Sequence, residues 1–483
     1  MSTVAPDDPA AASRGISRQA QSDIYRAGIS GSRPVVPVDP GRLEAAARRA
    51  LSAEAFAYVA GGAGAEYTVA ANRAAFDRWQ VWPRPLRDVS VRDLSIDFLG
   101  ATRPTPLVLA PLGVMELVHR DADAAVARAA ASFGVPHVLS NQGSLPMEQT
   151  ADAAPGAPRM FQLYWSSSDE LNASLLRRAE ASGCEAVVIT LDTHLLGWRT
   201  RDLDLGYLPF TRGLGIAQYT SDPVFQQLVR ERAAAAGPAP AVRVTPKTIA
   251  AGVSIARKGA ALTGAGLRES LRSPLPRAAV ETFLDVFSTP AITWDDVARA
   301  RDWTRLPIIL KGVVHPDDAL RAMDAGADGI WISNHGGRQI DRSVPTLDVL
   351  PEIADRVAGR VPIVFDSGVR SGADAAIALA LGATVVALGR PYAYGLAVAG
   401  EAGVAAVIRH VLAELDITLG LAGLTSIGEL DRTALREIWP RALRERSGSK
   451  CSCPVVERAQ RVETPVAGPP CEAARRVLRQ RRP

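Results

Sequence analysis

The chain has 483 residues, 47% hydrophobic, 22% charged and only 5% aromatic, which excludes a disordered chain and is ample for a large core. Four cysteines exclude a disulfide framework, no uninterrupted apolar run approaches the roughly 18 residues of a membrane span, and the N-terminus lacks the apolar centre of a secretory signal, so a cytoplasmic protein is expected. The net charge of +4 comes from the end of the chain, because Arg446 to Pro483 holds nine basic residues against three glutamates and the rest sums to −2.

Residues 1–40, rich in Ala, Ser, Pro and Asp, are expected to form a disordered tail. Residues 41–60 carry a helical pattern that stops at Gly61-Gly62. Short apolar runs ending in polar or glycine residues then alternate with Ala- and Leu-rich helical patterns. The runs are PLVLAP (106–111), PHVLS (136–140), RMFQLY (159–164), AVVITLD (186–192), PIILKG (307–312), DGIWISNHGG (328–337), PIVFDSG (362–368) and TVVALGR (384–390). Eight strands with helical crossovers predict an α/β fold, a closed (β/α)8 TIM barrel over residues 41–445. A doubly wound sheet is the competitor, but PLVLAPLGVMEL lacks the G-x-G-x-x-G spacing of a dinucleotide site.

One interval is abnormal. About a hundred residues separate Asp192 from Trp294, where a barrel needs roughly twenty-five, so 193–293 reads as a long loop or lid, mobile in part between 232 and 275. Residues 446–483 lack periodicity and read as a basic disordered tail. Its Cys451, Cys453 and Cys471 have no nearby histidine and make a poor metal site.

Barrel active sites form at the C-terminal ends of the strands, where the polar residues of this chain gather. His335 and Arg338 lie on a glycine-rich turn after strand six and can set a proton acceptor and a carboxylate clamp around one substrate. The plainer alternative is a histidine bonded to a carbonyl beside a surface arginine. Lys311 ends strand five in a dry mouth and needs a negative partner. Asp366, Ser367, Gly368 and Arg370 end strand seven, and Gly389 and Arg390 end strand eight. That pair of strands recurrently builds a phosphate site from backbone N–H groups, a helix N-terminus and arginine. Gln162, Tyr164, Thr190 and Asp192 add hydrogen-bonding groups, and Trp198, Arg199 and Arg201 open the insert with further guanidiniums. No H-x-x-x-H or carboxylate cluster suggests a metal, no serine elbow or catalytic cysteine stands out, and Cys184 reads as packing. A phosphate-bearing organic cofactor and an anionic substrate are the natural reading.

The motifs SNHGGRQ, LPIILKG, VFDSGVRSGAD, LGRP, FQLY and TLDT resemble the FMN-dependent 2-hydroxy acid oxidases and dehydrogenases, from about Ala45 to Ser426. GWRxRD (197–202), SDPVF, ITWDD and the long insert resemble the lactate 2-monooxygenase branch. The resemblance implies FMN as cofactor, with Pro111, Leu112 and Gly113 against the isoalloxazine, Ser140, Gln162 and Thr190 on its pyrimidine side, and Lys311 at N1/O2. It implies that Ser333, the Asp366–Arg370 turn, Gly389 and Arg390 hold the ribityl chain and phosphate. By the same likeness His335 takes the substrate's hydroxyl proton and Asp192 orients its imidazole. Tyr58, Arg199 and Arg338 would clamp the carboxylate, and Tyr164 would bond the hydroxyl or keto oxygen. Gln142 stands where several relatives carry an aromatic or aliphatic residue against the substrate side chain, which suits a substrate with a polar substituent.

The implied reaction is oxidation of an L-2-hydroxy acid to the 2-keto acid or, as a monooxygenase, to the decarboxylated acid. Molecular oxygen is the expected acceptor and a homo-oligomer, tetramer or octamer, the expected assembly, with no nucleic-acid or membrane partner. Two rivals remain. Another flavin barrel, such as an isoprenyl diphosphate isomerase, would need neither the His335–Arg338 pair nor Arg199. A binding protein working through its basic tail would be colourless.

Overall fold

The computed structural model describes residues 15–235, 244–259, 262, 264 and 266–438. Eight parallel strands close into a barrel: β1 (Leu107–Leu109), β2 (His137–Leu139), β3 (Arg159–Tyr164), β4 (Val187–Thr190), β5 (Ile308–Val313), β6 (Gly329–Ile332), β7 (Ile363–Phe365) and β8 (Val385–Leu388). Seven lie within their apolar runs and β5 extends one residue beyond its run, to Val313. Leu388 of β8 pairs with Leu109 of β1 and closes the ring. Helices cover the outside and side chains fill the inside, so the strands are buried on both faces and read as continuous rather than alternating apolar runs. Val108, Val138, Met160, Val188, Ile309 and Trp331 are among the side chains that fill the barrel.

The crossover helices begin at side-chain caps. Ser168 accepts from the Leu171 N–H ahead of helix Asp169–Ala181, and Ser371 and Asp374 form a capping box ahead of helix Gly372–Ala380. The second cap follows directly on the Asp366–Arg370 turn and fixes where that helix N-terminus starts.

Several expectations are corrected. The helical pattern over 41–60 is two helices, Pro40–Ala50 and Ala53–Ala60, because Leu51 is extended and Ser52 caps the second through the Ala55 N–H. The N-terminal tail expected over 1–40 fails from Gly15 onward, since Gly15–Ile29 is a helix. It is held by Asp416, which accepts from the Ser17 N–H at 3.0 Å and the Ser17 hydroxyl at 2.5 Å while pairing with Arg92; residues 1–14 lie outside the described residues. A hairpin, Ile96–Phe98 with Ala101–Arg103, precedes β1 and sends Phe98 into the cluster that fills the barrel. The compact unit containing the barrel ends at Ile438 rather than 445. The basic tail with its three cysteines lies outside the described residues.

The insert is not a loop. It carries helices Thr200–Asp204, Pro223–Ala235, Pro246–Lys258 and Leu275–Val286, the third within the stretch expected to be mobile; residues 236–243 lie outside the described residues. Phe210 near its start stacks on Phe283 and Phe287 near its end, with ring centroids 5.1 and 6.4 Å away.

Among the described residues one helix, Arg390–Ala422, is long and apolar enough to cross a membrane. It is broken at Ala399 and Gly400 and packs against helices 15–29, 40–50, 122–131 and 372–380. That packing accounts for its composition, as a helix apolar on most sides is what the middle of a helical layer requires.

Candidate active site

The C-terminal ends of the strands open into one cavity of about 990 Å³, mouth included. Its walls fall into three chemically distinct regions. Pro111, Leu112 and Gly113 after β1 form an apolar face, Lys311 from β5 projects from the opposite arc of the barrel, and Arg370 and Arg390 stand at the ends of β7 and β8. His335, Arg338 and Arg199 share a third region with Tyr58, Tyr164 and Gln142.

His335 occupies a strained backbone. It and the next two residues, Gly336 and Gly337, all have left-handed φ, at 57°, 63° and 78°, a conformation uncommon for a non-glycine residue and concentrated at functional sites. Three side chains hold the turn: Ser333 Oγ accepts from the His335 N–H, Ser367 Oγ from Gly336 and Asn334 Oδ1 from Gly337. A Cβ at Gly336 would lie 2.6 Å from the Arg390 guanidinium, so this position has no room for a side chain.

The imidazole is held at one nitrogen. His335 Nδ1 lies 2.9 Å from Asp192 Oδ1 and 3.2 Å from the Thr193 hydroxyl, which leaves Nε2 for a ligand in the cavity that His335 lines. Burial pushes His335 below the ordinary histidine value; Asp192 opposes that, and Lys311 and Arg199 add to it. Burial alone would raise Asp192, but His335, Lys311 and its hydrogen bonds outweigh it and hold the carboxyl at about 2. At neutral pH the pair is a neutral imidazole on a fixed carboxylate, the arrangement of a proton acceptor.

The arginines lack carboxylate hydrogen-bond partners. Arg338 donates to the Gly61 oxygen at 2.9 Å and stacks over the Tyr58 ring, and burial and Arg199 lower it to about 9. Arg199 bonds Gln339 Oε1 at 2.9 Å. Arg390 spends its donors on the oxygens of Val59, Gly336 and Gly61, and burial, then Arg390, lowers Arg370 to about 10. Buried cations without an anion are costly unless a ligand supplies one. The cavity therefore offers two anion sites, Arg338/Arg199 beside His335 and Arg370/Arg390 at the ends of β7 and β8.

Other expected residues stand elsewhere. Ser140, Gln162, Thr190 and Ser333 are almost fully buried, Ser333 accepting from the cavity-lining Lys311 and Ser140 from the N–H of the cavity-lining Gln142. Gln162 Oε1 accepts from Ser140 Oγ and the Asn141 N–H, while Gln162 Nε2, Asn141 Nδ2 and Thr190 Oγ1 are buried with no partner. Asp192 sits behind His335. Trp198 is 71% exposed and Arg201 pairs with Glu66 at the surface, so neither joins the site. Cys184 is a buried packing thiol that burial pushes up to about 12. Sequence reasoning gave no role to Thr193, Gln339 and Phe210, although it singled out the segments that hold them, and it missed Phe287. Thr193 and Gln339 adjoin residues it singled out, whereas Phe287 carries no local signal.

The family model described as FMN-dependent dehydrogenase matches residues 47–437. The chain belongs to this family. An FMN-dependent alpha-hydroxy acid dehydrogenase of Penicillium citrinum is 37% identical over 419 residues, covering 86% of this chain and 95% of the relative. An L-lactate oxidase of Lysinibacillus sphaericus is 38% identical over 410 residues, 84% of this chain and 94% of the relative. A solved structure of mandelate oxidase with (S)-4-hydroxymandelic acid superimposes with a TM-score of 0.67 at 35% identity, covering 83% of this chain and 98% of that one.

As a member of the FMN-dependent dehydrogenases the chain uses FMN, and the residues present fit it. The apolar face at Pro111–Gly113 suits a flat ring, the orphaned Gln162, Asn141 and Thr190 atoms suit its polar edge, and Arg370 and Arg390 suit its phosphate. When bound, FMN supplies the two-electron acceptor that oxidation of an alpha-hydroxy acid requires.

Proposed function

We propose that the chain oxidises an L-2-hydroxy acid to the 2-keto acid and passes the electrons to molecular oxygen. The observation that carries this reading is the His335–Asp192 pair facing the same cavity as Arg199 and Arg338, whose guanidiniums hydrogen-bond no carboxylate. Arg199 and Arg338 take the substrate carboxylate, which fixes the alpha carbon and its hydroxyl relative to His335. His335 Nε2 accepts the hydroxyl proton while Asp192 holds the opposite nitrogen and stabilises the imidazolium that forms. Tyr164 lines the cavity as a neutral phenol, raised well above its ordinary value by burial and Asp192, and donates to the substrate oxygen.

Side-chain selection falls to the wall built from Gln142, Met115, Phe210 and Phe287. That wall pairs two aromatic rings with a methionine and one free amide, and suits a bulky 2-hydroxy acid carrying a polar substituent better than lactate. The 4-hydroxymandelic acid in the mandelate oxidase structure is of that shape. The test is anaerobic bleaching of the yellow holoenzyme by lactate, mandelate, 4-hydroxymandelate and 2-hydroxyoctanoate, followed by oxygen-uptake and product analysis. Absence of bleaching by every acid overturns the reading, and bleaching without oxygen consumption overturns the acceptor.

A further inference from the structure

Trp331 has no place in the chemistry described so far, yet it is fully buried inside the barrel. On β6 it stands in register with Lys311 of β5. Its Nε1–H donates to Asp366 Oδ2 at 2.9 Å, and its ring lies 5.7 Å from the Lys311 ammonium. Asp366 Oδ1 accepts from the Ser367 hydroxyl at 2.6 Å, so the carboxylate is tied at both oxygens. The result is a loose ion pair: Lys311 Nζ is 3.7 Å from Asp366 Oδ2, too far for a hydrogen bond, and bonds Ser333 Oγ at 3.0 Å instead. An ammonium has three donors. With one on Ser333 and neither Asp366 nor Asp192, the second carboxylate that feels this charge, accepting a hydrogen bond from it, the other donors are left for the cavity that Lys311 lines.

We infer that Trp331 is a positioning residue that holds Asp366 away from Lys311, keeping the lysine's positive charge directed at the flavin rather than neutralised in a contact ion pair. The inference rests on the reading that Lys311 faces the flavin ring. Without the indole N–H, Asp366 closes on Lys311, the field at the cavity weakens, and the flavin becomes a poorer home for negative charge.

Sulfite reports this directly, because it adds to oxidised FMN and leaves negative charge on the ring. The experiment is a spectrophotometric sulfite titration of holoenzyme, with the dissociation constant of FMN measured alongside by fluorescence. Trp331→Phe keeps an aromatic ring and removes the N–H. It is expected to weaken sulfite binding about fivefold or more in protein that the fluorescence titration shows to be saturated with FMN. Replacing Trp331 by its benzothiophene isostere, the same shape with sulfur for N–H, gives the same readout should the phenylalanine variant not fold. Lys311→Met is the reference. Weakening in Lys311→Met but not in either Trp331 variant overturns the positioning role alone. Unchanged sulfite affinity in Lys311→Met overturns the flavin-facing reading and the inference with it.

Discussion

Arg199 Nε lies 3.4 Å from the main-chain oxygen of Arg338, so one buried arginine props the backbone of another inside the same cavity. The arrangement stores unfavourable charge until an anion arrives. Arg338→Met should therefore separate stability from function. Its partner oxygen on Gly61 keeps a bond from Arg390, so no acceptor is orphaned. The substrate-free enzyme should melt no lower than the wild type, since burial and Arg199 disfavour the Arg338 charge more than Tyr58 and Asp202 favour it. Meanwhile kcat/KM should fall at least about thirtyfold, the lower end of losing a buried charged contact to ligand. Calorimetry and steady-state kinetics check the two halves; a variant that melts lower would mean the guanidinium is structural.

His335→Ala should retain FMN and lose about 10²–10⁴-fold in the rate of flavin bleaching by substrate, the usual worth of a general base. The pH profile of the wild type carries a sign. His335 works only unprotonated, and its value in the folded protein lies below the ordinary 6.5. Activity should therefore be flat through neutral pH and be lost on acidification, with a midpoint in kcat/KM below 6.5. A midpoint above 7 would contradict the buried geometry.

Gln142 lines the cavity with its side-chain amide free of protein hydrogen bonds, while its own N–H is tied to Ser140 Oγ. Desolvating that amide against an aliphatic substrate costs about 1–3 kcal/mol. Gln142→Leu should shift relative kcat/KM toward lactate and 2-hydroxyoctanoate, and away from 4-hydroxymandelate, by about five- to a hundredfold. An unchanged ranking would move selectivity to Phe210 and Phe287.

Ser17→Ala removes a hydroxyl that donates to a buried carboxylate. Hydrogen bonds to charged groups are worth about 1.5–3 kcal/mol, so the melting temperature should fall by several degrees with kcat unchanged. A fall in kcat would show that the N-terminal helix reaches the cavity.

How much was legible from sequence varies by element. The eight barrel strands announce themselves because a strand buried on both faces has to be apolar throughout, and their polar ends mark the mouth. Helix 15–29 gives no such sign: only Ser17 and Ala20 of it are buried, so there is no apolar stripe, and its anchor is a carboxylate almost four hundred residues away. The hairpin at 96–103 is too short for periodicity, and the burial of Phe98 depends on a barrel that has yet to close. Within the site, residues at strand ends could be named, but Thr193 and Phe287 become neighbours of the chemistry only through tertiary contacts.

The aromatic stack across the insert has a consequence for how this enzyme could change over time. Phe210 and Phe287 both face the cavity, and Phe283 binds them together. The described chain between them is helical and anchored by Tyr219, Phe225 and Val229 in the core. Lengthening a loop costs little, about 0.6 kcal/mol per doubling, and the pocket wall is fastened before the extra chain begins. The exposed turn at Leu271 and Arg272 is thus a place where a binding module or sensor could be spliced in, giving the same catalytic cavity a new input without redrawing it.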